Sequence, residues 1–531
     1  MSYRLKSNVI VEPLVANYFA SPYLLSPLSA PRFLRRLVLK LFDSFVNSPK
    51  AHELALKNPA FKGGPFVALL SKDLPVAKEL YSSLKDRLSR TFSHADAFDE
   101  LHDLLKEADG ESLDSYYDKI PLPLQGLVEL FYERSGKASY RMIEALTYRS
   151  VLYDEGLQSI IIRELDGDNR DFVLTTPRLE TSECVAANIP LSSIALDNFL
   201  RSRDEPVESW KELAMQLGID KSKWCVFESF FEEAKDSTKI IPTKVDEATL
   251  RCRYFGHACV EVSSGINTVV MDPLISYDVK NSDISRLSYR DLPEKIDALV
   301  ITHLHLDHFN VETLINLRHK VDTVVLPRGE GGSVLDPSGK MILKALGFKK
   351  VVELDHFEEI TFGALTVQAL PFQGEHGDLN ITSKAAYIVK NARSKAFFGA
   401  DIRLVSEKLV QRIAEEVGSV DSLYLGMECE GAPLSWVYGA LLDESLVRRN
   451  DQQRRLNGSN SKEASFLLKA LEPRFVNIYA LGKEPWLSHI MSVNDGADSY
   501  IEKEIQKLSE YCELGRIPFS TLAYRNEENI S

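Results

Sequence analysis

The chain has 531 residues, 44% hydrophobic and 26% charged, with 77 acidic against 63 basic side chains and a formal net charge of −14. That apolar content is ample for packed cores and excludes general disorder, while the acidic balance argues against a surface built for nucleic acid. The six cysteines form no C-x-x-C pair, no uncharged apolar run reaches the roughly 18 residues of a membrane span, and Arg4 and Lys6 interrupt the N-terminus where a signal peptide needs an apolar run. The expectation is a reduced, cytoplasmic protein with neither membrane nor nucleic-acid partners.

In chain order, the run from Phe33 to Phe42 has helical apolar spacing, and Pro75 to Leu105 reads as one or two amphipathic helices after a proline start. Ser159–Glu164 and Asp171–Thr176 read as short β runs around the turn Asp166-Gly167-Asp168-Asn169. The charged stretch from Glu232 to Lys239, followed by Pro242, marks a boundary. Two domains follow: residues 1–240, an α-rich mixed accessory and dimerisation domain, and residues 241–531, where the texture turns to strands with helices between them. There Arg253–Val262 and Ile266–Pro273 read as a hairpin. Strands are predicted at Ile296–His303, Thr323–Pro327, Leu365–Phe372, Lys384–Lys390, Ala396–Asp401, Ser422–Glu428 and Arg474–Leu481. Helices are predicted at Val311–Lys320, Ser406–Val417 and Lys462–Leu471.

Of 11 histidines, only His52, His94 and His102 precede residue 250, which puts the chemistry in the second half. The sharpest motif is Thr302-His303-Leu304-His305-Leu306-Asp307-His308, closing an apolar strand and preceding a helix. Side chains two apart in an extended segment point the same way, so His303 and His305 can grip one ion, and Asp307 and His308 can reach a second. Imidazole and carboxylate suit zinc, iron or manganese. In the loop Gln373-Gly374-Glu375-His376-Gly377-Asp378, either Glu375 or His376 can serve as a further ligand, and the residues alone do not choose.

H-x-H-x-D-H at a strand end, downstream of Phe255-Gly256-His257-Ala258 and Met271-Asp272-Pro273, resembles the metallo-β-lactamase superfamily. The resemblance implies an α/β architecture, a C-terminal αββα sandwich with a two-metal site along one edge of the sheets. It also implies Asp401 as the bridging carboxylate and His489 as the last histidine. Gly374-Glu375-His376-Gly377-Asp378-Leu379, Ser435-Trp436-Val437-Tyr438-Gly439, the Asp451–Ser459 stretch and Glu484-Pro485-Trp486 are similar, more closely, to the di-iron β-hydroxylases that tailor nonribosomal peptides, as in chloramphenicol biosynthesis. That similarity implies Glu375 as the ligand, with His303, His305 and Glu375 on one iron and Asp307, His308 and His489 on the other. It also implies a monooxygenase using two iron ions, O2 and an external electron donor, a reductase or small electron carrier. The substrate implied is an aminoacyl thioester on a nonribosomal peptide synthetase carrier domain, hydroxylated at the β-carbon. The extra carboxylate agrees, since harder oxygen donation favours iron. The rival is a hydrolase of the same fold with two zinc ions, or manganese, acting on a lactone, thioester or phosphodiester.

His257, read as lying within a strand, together with Asp272 and His376, is expected to orient the ligands rather than bind metal. His319 and His356 are expected to be ordinary solvated histidines. The arginine cluster Arg448, Arg449, Arg454 and Arg455 is the candidate contact for the phosphopantetheine phosphate or an acidic carrier surface, because guanidinium forks suit phosphate. Trp436, Tyr438 and Trp486 are candidate pocket walls.

Overall fold

The structure is a computed structural model that describes residues 2–58, 64–234, 245–491 and 499–531. The 240/241 boundary therefore lies outside the described residues.

The second half is two seven-stranded sheets packed face to face, with helices on the outside. In the first sheet the order is Val351–Leu354, Val321–Pro327, Ile296–Val300, Asn267–Met271, Cys259–Ser264, Leu250–Gly256 and Asn526–Ile530. In the second it is Glu359–Phe362, Leu365–Pro371, Ala385–Lys390, Lys395–Phe398, Ser422–Gly426, Phe475–Tyr479 and Phe519–Thr521. Alternation supplies the interlayer core: Tyr254, Val260, Val262, Met271 and Val300 from one sheet meet Val367, Ala369, Tyr387, Val389 and Phe398 from the other. Helices Glu407–Val417, Ser461–Leu471 and Tyr500–Gly515 cover the second sheet, their apolar stripes buried against Leu423, Leu425 and Ile478. The helix at 407–417 starts where Ser406 accepts the Leu409 amide and stops at Gly418, whose φ of 70° ends it.

The first half contributes a four-stranded antiparallel sheet, Tyr18–Phe19, Val9–Val15, Gln158–Glu164 and Val185–Ala187, with helices around it. The predicted helical run is continuous from Ala30 through a π-helical turn at Leu34–Val38 to Asn47, and the Pro75–Leu105 segment forms two helices, Leu74–Arg87 and Ser89–Lys106. The outer face of the first catalytic sheet packs against this half, and one apolar cluster joins Val9, Val11 and Phe19 to Val270, Leu299, Leu314 and Ile315. An αββα sandwich thus has much of one outer layer supplied by the N-terminal half.

Two sequence expectations fail here for physical reasons. Asp171–Thr176 is not a strand; Arg170 and Arg178, which flank it, are drawn to Glu12 and Glu312, and Val173 donates its amide to the His489 carbonyl at 2.8 Å. The expected single strand through His257 is two, Leu250–Gly256 and Cys259–Ser264, because Gly256 (φ 129°) and His257 (φ 50°) turn the chain back. This reversal decides where His257 points.

Candidate metal centre

The strand Ile296–Val300 ends in the extended stretch that carries His303 and His305, and the chain then turns through Asp307 and His308 into the helix Val311–Leu317. Helix entry is fixed by Asn310, whose side chain accepts the Thr313 amide at 2.9 Å. His305 Nδ1 lies 2.6 Å from Glu375 Oε1, and His303 Nε2 lies 3.8 Å from Glu375 Oε2 and 3.9 Å from Asp401 Oδ2. His308 Nε2 meets Asp401 Oδ2 at 2.9 Å, which puts Asp401 between two clusters of donors. His257 Nε2 stands 3.0 Å from Asp307 Oδ2, with its ring 5.0 Å from that of His308. Three overlapping ligand sets result: His303, His305 and Glu375; His303, His308 and Asp401; His257, Asp307 and His308.

The supporting hydrogen bonds fix which nitrogen of each ring faces inward. Asp272 accepts the Thr302 amide and hydroxyl, both at 2.7 Å, and faces His308 Nδ1 at 2.8 Å. With its proton given to Asp272, the Thr302 hydroxyl accepts from His303 Nδ1 at 3.0 Å. One carboxylate therefore sets both rings with Nε2 lone pairs toward the centre, the arrangement outer carboxylates give metal-bound imidazoles. Tyr438 does the same for His305: it accepts from Nε2 at 2.7 Å and from the Tyr23 hydroxyl at 3.3 Å, leaving its own proton for His376 Nδ1 at 2.8 Å. Glu484 accepts the His257 amide at 2.7 Å and the Tyr254 hydroxyl, holding the turn that aims His257. Glu375 sits at a positive φ of 69° behind Gly374 (φ 84°), where a Cβ would collide with Arg403.

The electrostatics show a centre short of positive charge. Burial opposes a charge on His308, but Asp401, Asp307 and Asp272 outweigh it and hold the imidazole well above its ordinary pKa. Burial likewise opposes ionisation of Asp307, yet His308 and His257 hold its carboxyl well below the usual range. Glu375 is pushed up by burial despite His305. Glu428, at the end of the strand Ser422–Gly426, is pushed well up by burial and by the charges of Asp401, Asp307 and Glu375. His303 Nε2, Glu375 Oε2 and Asp401 Oδ1 are buried without a hydrogen-bond partner, a condition that costs free energy unless a cation completes it. The donors are imidazole and carboxylate without thiolate, which fits iron, zinc or manganese.

Comparison with known proteins places this geometry. Residues 4–235 match the model of the diiron non-heme beta-hydroxylase N-terminal domain, and residues 267–429 match that of the beta-lactamase superfamily domain. The 4-amino-L-phenylalanyl-[CmlP-peptidyl-carrier-protein] 3-hydroxylase of Streptomyces venezuelae is 38% identical over 500 residues, 93% of each chain. The chain belongs to the di-iron non-heme β-hydroxylases. The crystal structure of CmlA, a diiron beta-hydroxylase from Streptomyces venezuelae, superimposes with a TM-score of 0.93 at 35% identity over 100% of each chain. The fold is therefore the α/β one expected, a helical N-terminal region joined to a metallo-β-lactamase sandwich.

Within this β-hydroxylase the sequence-predicted residues divide. His303, His305, Asp307, His308, Glu375 and Asp401 come together. His489 does not join them: among the described residues no ligand set contains it. Its ring packs on Phe19 at the domain interface, beside Arg170, Glu12 and Arg178, while the turn at Gly256 brings His257 to Asp307 instead. His376 lies against His305, ring centroids 4.7 Å apart, and Asp272 beneath the H-x-H pair. Tyr438 is buried next to His305 and Trp436 is half-buried on the same short helix, Leu434–Tyr438. Trp486 covers Gly256 and stacks on Arg286 at 4.4 Å. The arginines separate: Arg454 and Arg455 donate to the carbonyls of Gly377 and Gly431 at 2.9 and 2.8 Å, whereas Arg448 and Arg449 are exposed. His319 is not solvated but faces Asp204 at 3.2 Å across the domain interface. His356 is exposed, as expected. Sequence reasoning missed Glu428, Glu484 and Tyr23, whose roles exist only in the folded chain.

Proposed function

We propose that this chain hydroxylates the β-carbon of an aminoacyl group held as a thioester on the carrier domain of a nonribosomal peptide synthetase. The observation that carries the reading is Glu375, a carboxylate where an imidazole would suit a hydrolytic zinc site, in a chain 38% identical to a carrier-protein aminoacyl 3-hydroxylase. His303, His305 and Glu375 would hold one iron, His257, Asp307 and His308 the other, with Asp401 between them. When bound, the two irons supply oxygen activation: O2, two electrons and two protons convert one C–H bond to C–OH and release one water. Asp272 and Tyr438 keep the ring nitrogens aimed, and burial keeps bulk water from the reacting carbon. The electrons come from an external reductase or small electron carrier. The helix Arg448–Gln453 presents exposed Arg448 and Arg449 to the phosphate or acidic face of a carrier domain, while Arg454 and Arg455 brace the Glu375 loop and its neighbour. A homodimer formed through the N-terminal half, working in the cytoplasm, completes the reading. No described helix is long and apolar enough to cross a membrane.

Protein expressed with iron and then reduced should bind two irons per chain, and after O2 is admitted should add one oxygen atom to a carrier-bound aminoacyl thioester, read by intact-mass spectrometry. Two zincs per chain with thioester hydrolysis and no oxygen incorporation would defeat the proposal. Glu375→His should abolish hydroxylation while retaining zinc binding. Charge reversal at Arg448 and Arg449 should raise KM for the carrier-bound substrate and leave a free pantetheine thioester unaffected.

A further inference from the structure

Glu375 reaches the metal centre from an uncommon backbone. It and Gly374 both lie at positive φ, 69° and 84°, and a residue with a Cβ avoids that region. A more ordinary conformation is close by. Turning the planar Gly374–Glu375 peptide about the two bonds that flank it returns Glu375 to negative φ, and Gly374, free of a Cβ, tolerates the change. The same turn re-aims the Cα–Cβ bond of Glu375, whose Oε1 now stands 2.6 Å from His305 Nδ1. A ligand has to be held to within roughly 0.5 Å of its working position, so the orientation of this one peptide decides whether Glu375 serves.

What opposes the turn is Lys384. Its Nζ donates to the Gly374 carbonyl at 3.0 Å, and among the described residues that oxygen has no other partner. The lysine's own main chain is fixed before and after it. Asp336 accepts the Thr382 amide and hydroxyl at 2.7 and 2.9 Å and the Ser383 amide at 3.3 Å, and the Ala385 amide donates to the Thr302 carbonyl at 2.9 Å. Lys384 Nζ also lies 5.9 Å from the centre of the Phe372 ring, which packs on His303 at 5.7 Å. Thr382 to Ala385 thus spans the loop that carries Glu375 and the strand end that carries His303. We propose that Lys384 is a positioning residue, holding the Gly374–Glu375 peptide in the orientation that puts Glu375 on the ion shared with His303 and His305. The turn would break a charge-assisted bond to a half-buried ammonium. The inference rests on Glu375 being a metal ligand, as read above, and it makes the effect one-sided: His257, Asp307 and His308 do not depend on this carbonyl.

The test uses the full-length iron-loaded protein, reduced under nitrogen. Near-infrared magnetic circular dichroism resolves the ligand field of each ferrous ion, and competition with a chelator gives the affinity of each. Glu375→Gln marks which bands belong to the ion on Glu375. Lys384→Met should shift those bands and weaken that ion by about 10–100-fold, with the other ion's bands in place and its affinity within about threefold. Lys384→Arg, which returns a donor to the carbonyl, should recover most of the loss. Equal weakening of both ions, no change in either, or an arginine variant as impaired as the methionine one each overturns the proposal. Lys384→Gln, too short to reach the carbonyl, carries the same expectation if the methionine variant does not fold; failure of both to fold would make the lysine a structural residue and overturn the proposal as well. A wild-type chain that holds a single ferrous ion, or in which Glu375→Gln alters neither set of bands, would instead defeat the ligand assignment, and this inference with it.

Discussion

Two clusters of buried charge meet at the segment from Thr302 to Glu312, and they are built on opposite rules. At the domain interface Glu12 and Glu312 face Arg170 and Arg178, with contacts from 2.6 to 3.1 Å and every member nearly sealed. Two carboxylates face two buried guanidiniums, with the more exposed Arg163 a further positive charge 3.8 Å from Glu12, and each hydrogen bond is charge-assisted. At the metal centre the carboxylates face imidazoles and, at Asp272, the Thr302 amide and hydroxyl rather than guanidiniums, and several inward-facing atoms have no partner. Both clusters are largely buried, although Asp307 at the metal centre is 22% exposed; what separates them is closure of the charge. A closed cluster holds the fold together, whereas an open one is built to hold a cation.

The comparison can be broken most severely at Asp401. Asp401→Asn removes the carboxylate between the two donor sets and should bring iron content below one per chain and hydroxylation to background, with the fold intact by circular dichroism. At the closed cluster the loss should appear as instability instead. Glu12→Gln leaves Arg178 and part of Arg170 buried without charge balance and should cost about 3–5 kcal/mol in denaturant unfolding, with iron content per folded chain nearly unchanged. If Glu12→Gln stripped iron without lowering stability, the division between the clusters would be wrong.

A smaller effect probes the support beneath the open cluster. Asp272→Asn keeps the shape but weakens the hold on Thr302 and His308, and should lower iron affinity by about 10–100-fold, measured by competition with a chelator. The smallest effect lies at the other interdomain contact, where Lys320 and His319 face Asp204 at 2.7 and 3.2 Å. Burial would raise the Asp204 carboxyl, but His319 and Lys320 bring it down to about 2 from an ordinary value of 3.8. Because the folded value is the lower one, this contribution is complete above about pH 4 and disappears as the pH falls through 2. Asp204→Asn should therefore cost about 1 kcal/mol at neutral pH and nothing below pH 2. Unfolding midpoints across that range would show it.

Legibility in the sequence follows how local each cause is. H-x-H-x-D-H is readable because strand alternation and a following helix act within a few residues, and the strands of the sandwich are readable because their apolar runs end in turn residues. The positions of His257 and His489 have causes that are not local. His257 reaches Asp307 only because a positive φ at Gly256 and His257 folds two strands back and Glu484, far along the chain, holds the turn. Arg454 and Arg455 look like surface charge until the loops holding Gly377 and Gly431 come beside them. Glu428 carries no motif; its meaning is the charges that surround it. The strand Val9–Val15 is sealed along its whole length by long-range packing, which short-range periodicity does not report.

The shared apolar layer also dictates an order of events during synthesis. The N-terminal half leaves the ribosome first, and the cluster containing Val9, Val11 and Phe19 is incomplete until the strands carrying Val270 and Leu299 and the helix carrying Leu314 have followed. For that interval a nascent chain displays a sheet face it is unable to cover, the kind of surface that chaperones shield. Full burial of the first half's apolar face thus waits on translation of the second.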